Sequence, residues 1–308
     1  MIKVTLTNEI LRYITEIEQN RYKVSSVKLS KTVMNKLRKN SKKKSSYASN
    51  KIEGNPLSEK QVNEVIESDE RKHYLKPEQE VRNYFLALNY LEEKVKNKEK
   101  FSKQLILDVQ KLVEKGASKE KIGLRGPMPP GVLFAVYDSK TGNPDYIPPE
   151  YCDIPGLLDE LVEYVNTTDD HPLIVAAVVH YQLVTIHPFE DGNGRTARLL
   201  SGYIMDLNGY GFNGIGSLEE YFAYDIDEYY ESIQMGLPAL YYSGRENPPH
   251  PEIWINYFLQ MVKLYSGKVC DLQLASEEED IAGSLSFLKG KEKELLLFLM
   301  KNYRGEFT

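Results

Sequence analysis

Cysteine is scarce in this sequence, basic residues are not in excess, and long apolar runs are missing. With only Cys152 and Cys270, far apart along 308 residues, we expect neither a disulfide framework nor a cysteine-based metal site. The formal net charge of −6 argues against a general nucleic-acid binder, because such proteins are normally basic. No apolar run approaches the roughly 20 residues that span a bilayer, and the first residues lack the cleavage pattern of a signal peptide. We therefore expect a cytoplasmic protein that makes no contact with a membrane.

Most of the chain carries the apolar spacing of amphipathic helices, which predicts an all-α fold. A capping box from Ser58 to Gln61 opens one helix, and Gly116 is expected to end another. Pro172 opens an apolar segment that predicts a buried central helix, although its length and valine content also permit a strand. Further helices are predicted over residues 84–95, 102–113, 195–207, 229–235, 253–265 and Lys291–Asn302, with an acidic linker at 271–280.

One segment, residues 125–149, departs from this helical pattern. Prolines and glycines surround the β-prone run 132–137, a turn sequence follows at 138–143, and Tyr146 and Ile147 resume the apolar pattern. This arrangement predicts a short β-hairpin that interrupts a helical protein.

The sequence IHPFEDGNGRTAR at residues 186–198 places an imidazole, carboxylates, glycines and two guanidinium groups within one turn of chain. It lies between two predicted helices, so backbone amides at the start of the second helix would form an anion site that the glycines leave open. Arg195 and Arg198 are three residues apart and share one helix face, where they can bind further phosphate oxygens. Asp191 is a hard oxygen ligand suited to Mg²⁺, and His187 is the one base here of suitable pKa.

Each of these features alone is more often structural than functional, since lone histidines, Gly-Asn-Gly turns and paired helical arginines are common. A solvated turn does not require all of them in this order. The combination predicts phosphate-chain chemistry, in which a divalent ion and fixed cations hold a nucleotide polyphosphate while an imidazole deprotonates an incoming hydroxyl.

This stretch matches, at every fixed position, the signature H-x-F-x-[DE]-G-N-G-R-x-x-R, so the protein resembles the Fic (Fic/Doc) family of adenylyl transferases. The helix that ends in His180, Tyr181 and Gln182 and the predicted hairpin extend the resemblance to about residues 40–265. The resemblance implies a helical bundle with a small β-hairpin flap. The hairpin at 132–147 would be that flap, which pairs with the backbone of a target protein as an added strand.

The resemblance also implies a role for each residue of the site. His187 is the base that activates a Ser, Thr or Tyr hydroxyl of the target, which attacks the α-phosphate of ATP so that AMP is transferred and pyrophosphate leaves. Asp191 holds Mg²⁺. Arg195 contacts the β-phosphate and Arg198 the γ-phosphate, and the amide cradle is formed by Gly192, Asn193 and Gly194.

A second short motif, [ST]-x-x-x-E-[GN], is formed upstream by residues 49–54. By itself it is typical of a solvated helix end with Gly54 as its cap. Beside the first signature it resembles the family's inhibitory helix, here near residues 45–54, to which Ser49, Glu53 and Gly54 would belong. Glu53 would then pair with Arg198 and deny it to the γ-phosphate.

The chain departs from the family near the nucleotide-base pocket. The family often has Asn-Arg-x-x-Tyr-Tyr there, whereas this chain has Asp225 and Ile226 before Tyr229 and Tyr230. The tyrosines are implied to pack against the base, and the missing Asn-Arg pair leaves UTP or GTP open beside ATP.

Two further patterns resemble a dinucleotide-binding motif and a nucleic-acid-binding run, and we interpret both as structural. The pattern G-x-G-x-x-G at 209–214 follows a helix, whereas the dinucleotide-binding fingerprint follows a strand, so we interpret it as a loop. The basic run 36–44 suggests nucleic acid, but in an acidic chain we expect a solvated connection before the inhibitory helix.

These features predict an N-terminal helical region (1–100), a Fic catalytic core (101–268), and a linker with the start of a winged-helix module (269–308). The main hypothesis is a protein adenylyltransferase that its own N-terminal helix holds inactive. Two alternatives stay open: an enzyme that removes AMP from modified proteins, with Glu53 positioning water, and a regulatory binding protein that contacts nucleic acid through the C-terminal module. A homodimer also stays open, because Tyr241 and Tyr242 could serve self-association or the core.

Overall fold

The computed structural model describes residues 2–68, 71, 73–117, 122–137, 142–236, 250–284 and 290–302. Within these residues the protein is mostly helical, which confirms the all-α prediction. The helices are α1 (Asn8–Ser26), α2 (Lys31–Ile52), α3 (Glu59–Glu67), α4 (Lys76–Lys96), α5 (Lys103–Glu114), α6 (Ile154–Thr167), α7 (Pro172–Ile186), α8 (Asn193–Leu207), α9 (Glu219–Phe222), α10 (Ile226–Gln234), α11 (Pro251–Ser284) and α12 (Lys291–Asn302). The predicted capping box is present, with Ser58 and Gln61 each bonded to the other's backbone at the start of α3.

The centre of the fold is the pair α7 and α8, which pack against each other. Every residue from Leu173 to Leu183 is buried, so α7 is the helix that is apolar on all sides, as expected of a helix inside a core. The alternative of a strand at this segment is therefore wrong. Ser201 of α8 donates its hydroxyl to the carbonyl of Ala176 at 2.9 Å, and Trp254 of α11 donates its ring N–H to the carbonyl of Ala177 at 2.8 Å.

Helix α2 packs on α3, α4, α8 and α9 with a buried face that is mainly small and polar. The buried residues of this helix are Ser41, Ser45, Ser46, Ala48, Ser49, Asn50 and Ile52. The prediction of a solvated connection at 36–44 is wrong, because this run lies inside α2. Three of its five lysines pair with acidic groups on neighbouring helices: Lys42 with Glu92, Lys43 with Glu67, and Lys44 with Glu220.

The acidic stretch 271–280 was predicted as a linker, and it is instead part of α11. Its carboxylates bind the backbone that leads into α2. Glu277 accepts from the N–H of Lys28 at 3.0 Å, and Asp280 accepts from the N–H of Ser30 at 2.8 Å. Asp280 therefore lies at the N-terminus of α2, where the helix dipole favours negative charge.

The predicted hairpin is present as β1 (Val136–Tyr137) and β2 (Pro144–Tyr146), paired antiparallel with Val136 opposite Tyr146. Residues 138–141 of its predicted turn, and Tyr241 and Tyr242, lie outside the described residues. The glycine-rich stretch 209–214 is a loop after α8 with a single 3-10 turn, as predicted. Of the helices described, none is long and apolar enough to cross a membrane.

The first helix belongs to the same core as the central pair of helices. Helix α1 packs against α11, and its buried Ile10 and Ile17 join the hydrophobic cluster that contains α7 and α8. The residue boundaries predicted for the three regions stay a prediction.

Candidate active site

The candidate site begins in the loop that joins α7 to α8. Phe189 is fully buried in this loop, and Asn193 binds its backbone on both sides, accepting from the Phe189 N–H at 3.0 Å and donating to its carbonyl at 2.9 Å. Arg125 holds the start of the loop by donating from Nε to the carbonyl of His187 at 2.8 Å. Leu124 adds a β-bridge to Phe189. The loop is therefore pinned to the core, and the side chain of Asn193 is used for this purpose, so that only its backbone amide can face a ligand.

His187 ends α7 in the left-handed region, with φ 48° and ψ 57°. Its Nδ1 lies 3.2 Å from the carbonyl oxygen of Val184. Because a carbonyl oxygen only accepts, Nδ1 carries the ring proton and Nε2 keeps the lone pair that a general base needs. Burial lowers the pKa of His187 to about 4, so the ring is neutral at physiological pH.

The residues of the predicted amide cradle, Gly192, Asn193 and Gly194, lie at the N-terminus of α8. Gly192 has φ 81°, and a Cβ there would come within 2.7 Å of Oε1 of Glu114. A Cβ on Gly194 would collide with Oε1 of Glu53. A side chain at either position would have to displace a glutamate, and at each a carboxylate of the protein itself lies where the amides and the helix dipole favour an anion.

Arg198 is buried in a set of hydrogen bonds, with 1% of its side chain exposed. Its Nη2 lies 2.6 Å from Oε1 of Glu53, and its Nε donates to the hydroxyl of Ser49 at 2.8 Å. Nη2 also donates to the carbonyl of Ser49 at 3.1 Å, and Nη1 to the hydroxyl of Tyr229 at 3.3 Å. Burial disfavours the charge, but Glu53 together with the neighbouring tyrosines outweighs burial and raises the pKa of Arg198. The predicted pair of Glu53 and Arg198 is thus present.

Arg195 lies on the other side of the cradle, against α5. Its Nη2 donates to Oε1 of Glu114 at 2.9 Å and approaches Oδ1 of Asp191 at 3.3 Å. Oδ1 of Asp191 also accepts from the N–H of Gly192 at 2.8 Å. Glu114 is fully buried, and burial raises its pKa to about 7 in spite of the neighbouring Arg195.

The two predicted base-binding tyrosines occupy different environments. Tyr229 is 1% exposed, and its hydroxyl faces Arg198 and His180 behind the cradle. Tyr230 is 47% exposed and remains the tyrosine that can face a nucleotide base. Asp225 caps α10 by accepting from the N–H of Glu228 at 3.0 Å. This capping role accounts for an acidic residue at the position where the family often has Asn.

Three residues of the site were not identified from the sequence. Arg125 holds the His187 carbonyl, Glu114 binds Arg195, and Nε2 of His180 lies 2.9 Å from the Tyr229 hydroxyl. The only local signal was for Glu114, a carboxylate that follows Val113 on the buried face of α5. Carboxylates at such positions are rare unless they are paired.

Comparisons with known proteins agree with this geometry. A protein adenylyltransferase Fic from Drosophila grimshawi is 26% identical over 206 residues, which is 65% of this chain and 40% of that protein. One from Aedes aegypti is 28% identical over 202 residues, covering 63% of this chain and 38% of that protein. This chain thus matches only about 40% of the length of these relatives.

A solved structure of a Fic family protein from Desulfovibrio desulfuricans G20 superposes with a TM-score of 0.71 at 21% identity, covering 88% of this chain and 77% of that one. This likeness shows that the fold is the Fic fold. The family model described as Fic/DOC matches residues 28–205, more than half of the chain. The chain belongs to the Fic/DOC family.

Proposed function

We propose that the chain is a protein adenylyltransferase, which transfers AMP from ATP to a Ser, Thr or Tyr hydroxyl of a target protein. One observation carries the proposal: a neutral His187 with an available Nε2 lies in the same rigid loop as the amide cradle, directly before Arg195 and Arg198. The relatives named protein adenylyltransferase Fic support the same reaction.

In the proposed reaction the target hydroxyl gives its proton to Nε2 of His187 as its oxygen attacks the α-phosphorus. The bond from the α-phosphorus to the oxygen that bridges to the β-phosphate breaks, and pyrophosphate leaves with the bonding electrons. Arg195 and the amides of Gly192, Asn193 and Gly194 would hold the phosphate chain in line, and Arg198 would bind the γ-phosphate.

Asp191 fits the role of a Mg²⁺ ligand. Its side chain is 31% exposed beside the cradle, and Mg²⁺ in nucleotide sites takes one or two carboxylates together with phosphates and water. When bound, the ion would neutralise charge on the phosphates. Among the described residues no group of three or more His, Cys, Asp or Glu side chains could hold a metal, so water and phosphates would complete the shell.

We propose that α2 inhibits the site through Glu53. The carboxylate pairs with Arg198 and lies over Gly194, so it occupies both the cation and the helix terminus that the phosphates would use. Withdrawal of Glu53 would therefore open the phosphate site. An enzyme that removes AMP, with Glu53 positioning water, is the alternative, and it predicts that Glu53→Gly brings no gain in AMP transfer.

The flap is the proposed binding place of the target protein. Val132 and Leu133 before β1 and Tyr137 within it are 49%, 60% and 60% exposed, which are apolar side chains that a partner segment could cover. The ring of Phe134 lies 5.9 Å from the ring of His187, so a segment on the flap would pass near the base. A cytoplasmic location, a homodimer and contact of the C-terminal segment with nucleic acid stay proposals.

The experiment labels ATP at either the α- or the γ-phosphate and follows covalent label on the chain with Glu53→Gly. Adenylyl transfer predicts label from α-labelled ATP only, dependent on Mg²⁺. Label from γ-labelled ATP instead would indicate phosphoryl transfer and overturn the proposal. Parallel runs with GTP and UTP report the base preference that Asp225 and Ile226 leave open.

A further inference from the structure

The hydroxyl of Tyr229 lies inside the protein and joins Arg198 to His180. A guanidinium can only donate, so the phenol oxygen accepts from Nη1 of Arg198 at 3.3 Å. In the described structure the proton of this phenol has one acceptor within hydrogen-bond distance, Nε2 of His180 at 2.9 Å, so we assign Nε2 as the acceptor. Burial and the charge of Arg198 lower the pKa of His180 well below its ordinary value, so the ring is neutral and one of its two nitrogens can accept a hydrogen bond. The chain of donors therefore has a single direction, from Arg198 to His180.

The other partners of Arg198 all belong to one segment. The hydroxyl and the carbonyl of Ser49 and the carboxylate of Glu53 lie in the last turn and at the C-cap of α2. If α2 withdraws, these bonds are lost together. Of the partners in the described structure, Tyr229 is the one that would remain.

We propose that Tyr229, with His180 behind it, is the positioning residue that holds Arg198 in place for the γ-phosphate once α2 has withdrawn. The inference rests on the proposed function, in which Arg198 binds that phosphate. It gives Tyr229 a role that does not involve the nucleotide base.

The surroundings of Tyr229 suit a fixed anchor that is independent of α2. Its ring is packed in an aromatic cluster, 5.2 Å from Phe222 and 6.2 Å from Trp254 between ring centres. His180 lies in the same cluster, with its ring centre 4.7 Å from that of Trp254. Removal of α2 would leave these contacts in place, because none of these residues belongs to α2.

The test measures the affinities of the Glu53→Gly chain for ATP and for ADP by calorimetry with Mg²⁺, with and without Tyr229→Phe. ADP lacks the γ-phosphate, so loss of the anchor should weaken ATP binding about tenfold and change ADP binding by less than about twofold. In the wild-type background, Tyr229→Phe should lower the affinity for ATP by a smaller factor, because Glu53 and Ser49 still hold Arg198. A residue that only supports the fold would lower both affinities alike.

Two further variants separate the hydrogen bond from packing. Tyr257→Phe removes a hydroxyl from a second buried tyrosine, which packs on Phe222 and Trp254, and it should leave the ratio of ATP to ADP affinity unchanged. His180→Leu should reproduce the effect of Tyr229→Phe, whereas His180→Gln keeps an acceptor and should restore most of the affinity.

Equal loss of ATP and ADP affinity in Tyr229→Phe, or no loss of either while thermal unfolding is unchanged, would overturn the inference. The Glu53→Gly parent is measured before Tyr229 is changed. If this parent binds ATP no better than the wild type and transfers no AMP, the proposed function itself fails.

Discussion

Helices α2 and α7 are both partly or wholly buried, but they are held in different ways. Helix α7 is apolar on every side and lies inside the hydrophobic core, whereas the buried face of α2 consists mainly of serines and an asparagine. Apolar packing of this kind is lost only when the core opens. Beside the apolar contacts of Ala48 and Ile52, the attachment of α2 rests on individual hydrogen bonds that each contribute about 1 kcal/mol, so we expect it to be released more easily than α7.

The polar attachment of α2 has an identifiable centre on α9. The buried carboxylate of Glu219 accepts from the hydroxyls of Ser45 at 2.8 Å, Ser217 at 3.0 Å and Tyr84 at 2.9 Å. Ser41 accepts from the N–H of Gly216 at 2.7 Å nearby. The fixed pair α7 and α8 thus positions His187 and the arginines, and the weakly held α2 places Glu53 over them.

The largest expected effect is at the fixed part of the site. His187→Ala removes the base from a loop whose backbone is held by Asn193 and Arg125, so the fold and ATP affinity should be kept. Adenylyl transfer by the Glu53→Gly chain should fall by about 10²- to 10⁴-fold, the usual contribution of a general base. Initial rates with α-labelled ATP measure this, and a rate equal to that of the parent would remove His187 from the mechanism.

Matched truncations compare the two helices directly. Leu173→Ala in α7 removes a fully buried side chain, which should lower the free energy of unfolding by about 2–5 kcal/mol. Leu37→Ala in α2 removes a side chain that is only partly buried against the core, and we expect about 1 kcal/mol or less. Denaturant unfolding measures both, and equal losses would contradict the contrast between the two helices.

A smaller effect should come from the polar attachment. Ser45→Ala removes a donor to Glu219 and leaves a buried carboxylate less satisfied, which weakens docking of α2. When Glu53 is kept, the rate of AMP transfer should rise several-fold. This rise corresponds to a loss of about 1 kcal/mol in the free energy that holds α2 on the site. Ser46→Ala is the control, because the Ser46 hydroxyl bonds only to the Lys42 carbonyl within α2. A rise in the control as large as that in Ser45→Ala would remove Glu219 from the account.

The smallest expected change is in the pH profile. Since the pKa of His187 is lowered to about 4, the reactive neutral form persists well into the acid range. Glu53 raises that pKa, so the Glu53→Gly chain should titrate lower still. We expect its kcat/KM to stay constant from neutral pH to about 5, whereas an ordinary histidine would already titrate near about 6.5.

A control is needed because the pKa of Glu114 is raised to about 7. The profile is therefore repeated with Glu114→Gln. A fall in rate near neutral pH that persists in this variant would show that burial does not lower the pKa of His187.

The parts of the structure that could be predicted are those determined by local pattern. The helical spacing, the capping box at Ser58 and the single loop that carries His187, Asp191 and the arginines are all properties of contiguous sequence. Glu53 and Arg198 are far apart in the sequence. Their pairing is expected only because the resemblance to the family links the two motifs.

The errors concern segments whose charges have distant partners. The basic run 36–44 and the acidic stretch 271–280 suggested solvated connections, because their composition shows charge but not what neutralises it. Lys43 meets Glu67, and Asp280 binds Ser30, at positions that only the folded chain brings together. The orientation of α10, which directs Tyr229 to Arg198 and leaves Tyr230 at the surface, likewise depends on tertiary packing.

The central claim is that Glu53 holds the site inactive, and Glu53→Gly tests it most directly. The initial rate at which the chain labels itself from α-labelled ATP is compared among the wild type, Glu53→Gly, and Glu53→Gly combined with His187→Ala. The account predicts a rise of at least about tenfold in Glu53→Gly, equivalent to roughly 1.4 kcal/mol, and no label in the double variant. A Glu53→Gly rate equal to or below that of the wild type would contradict it.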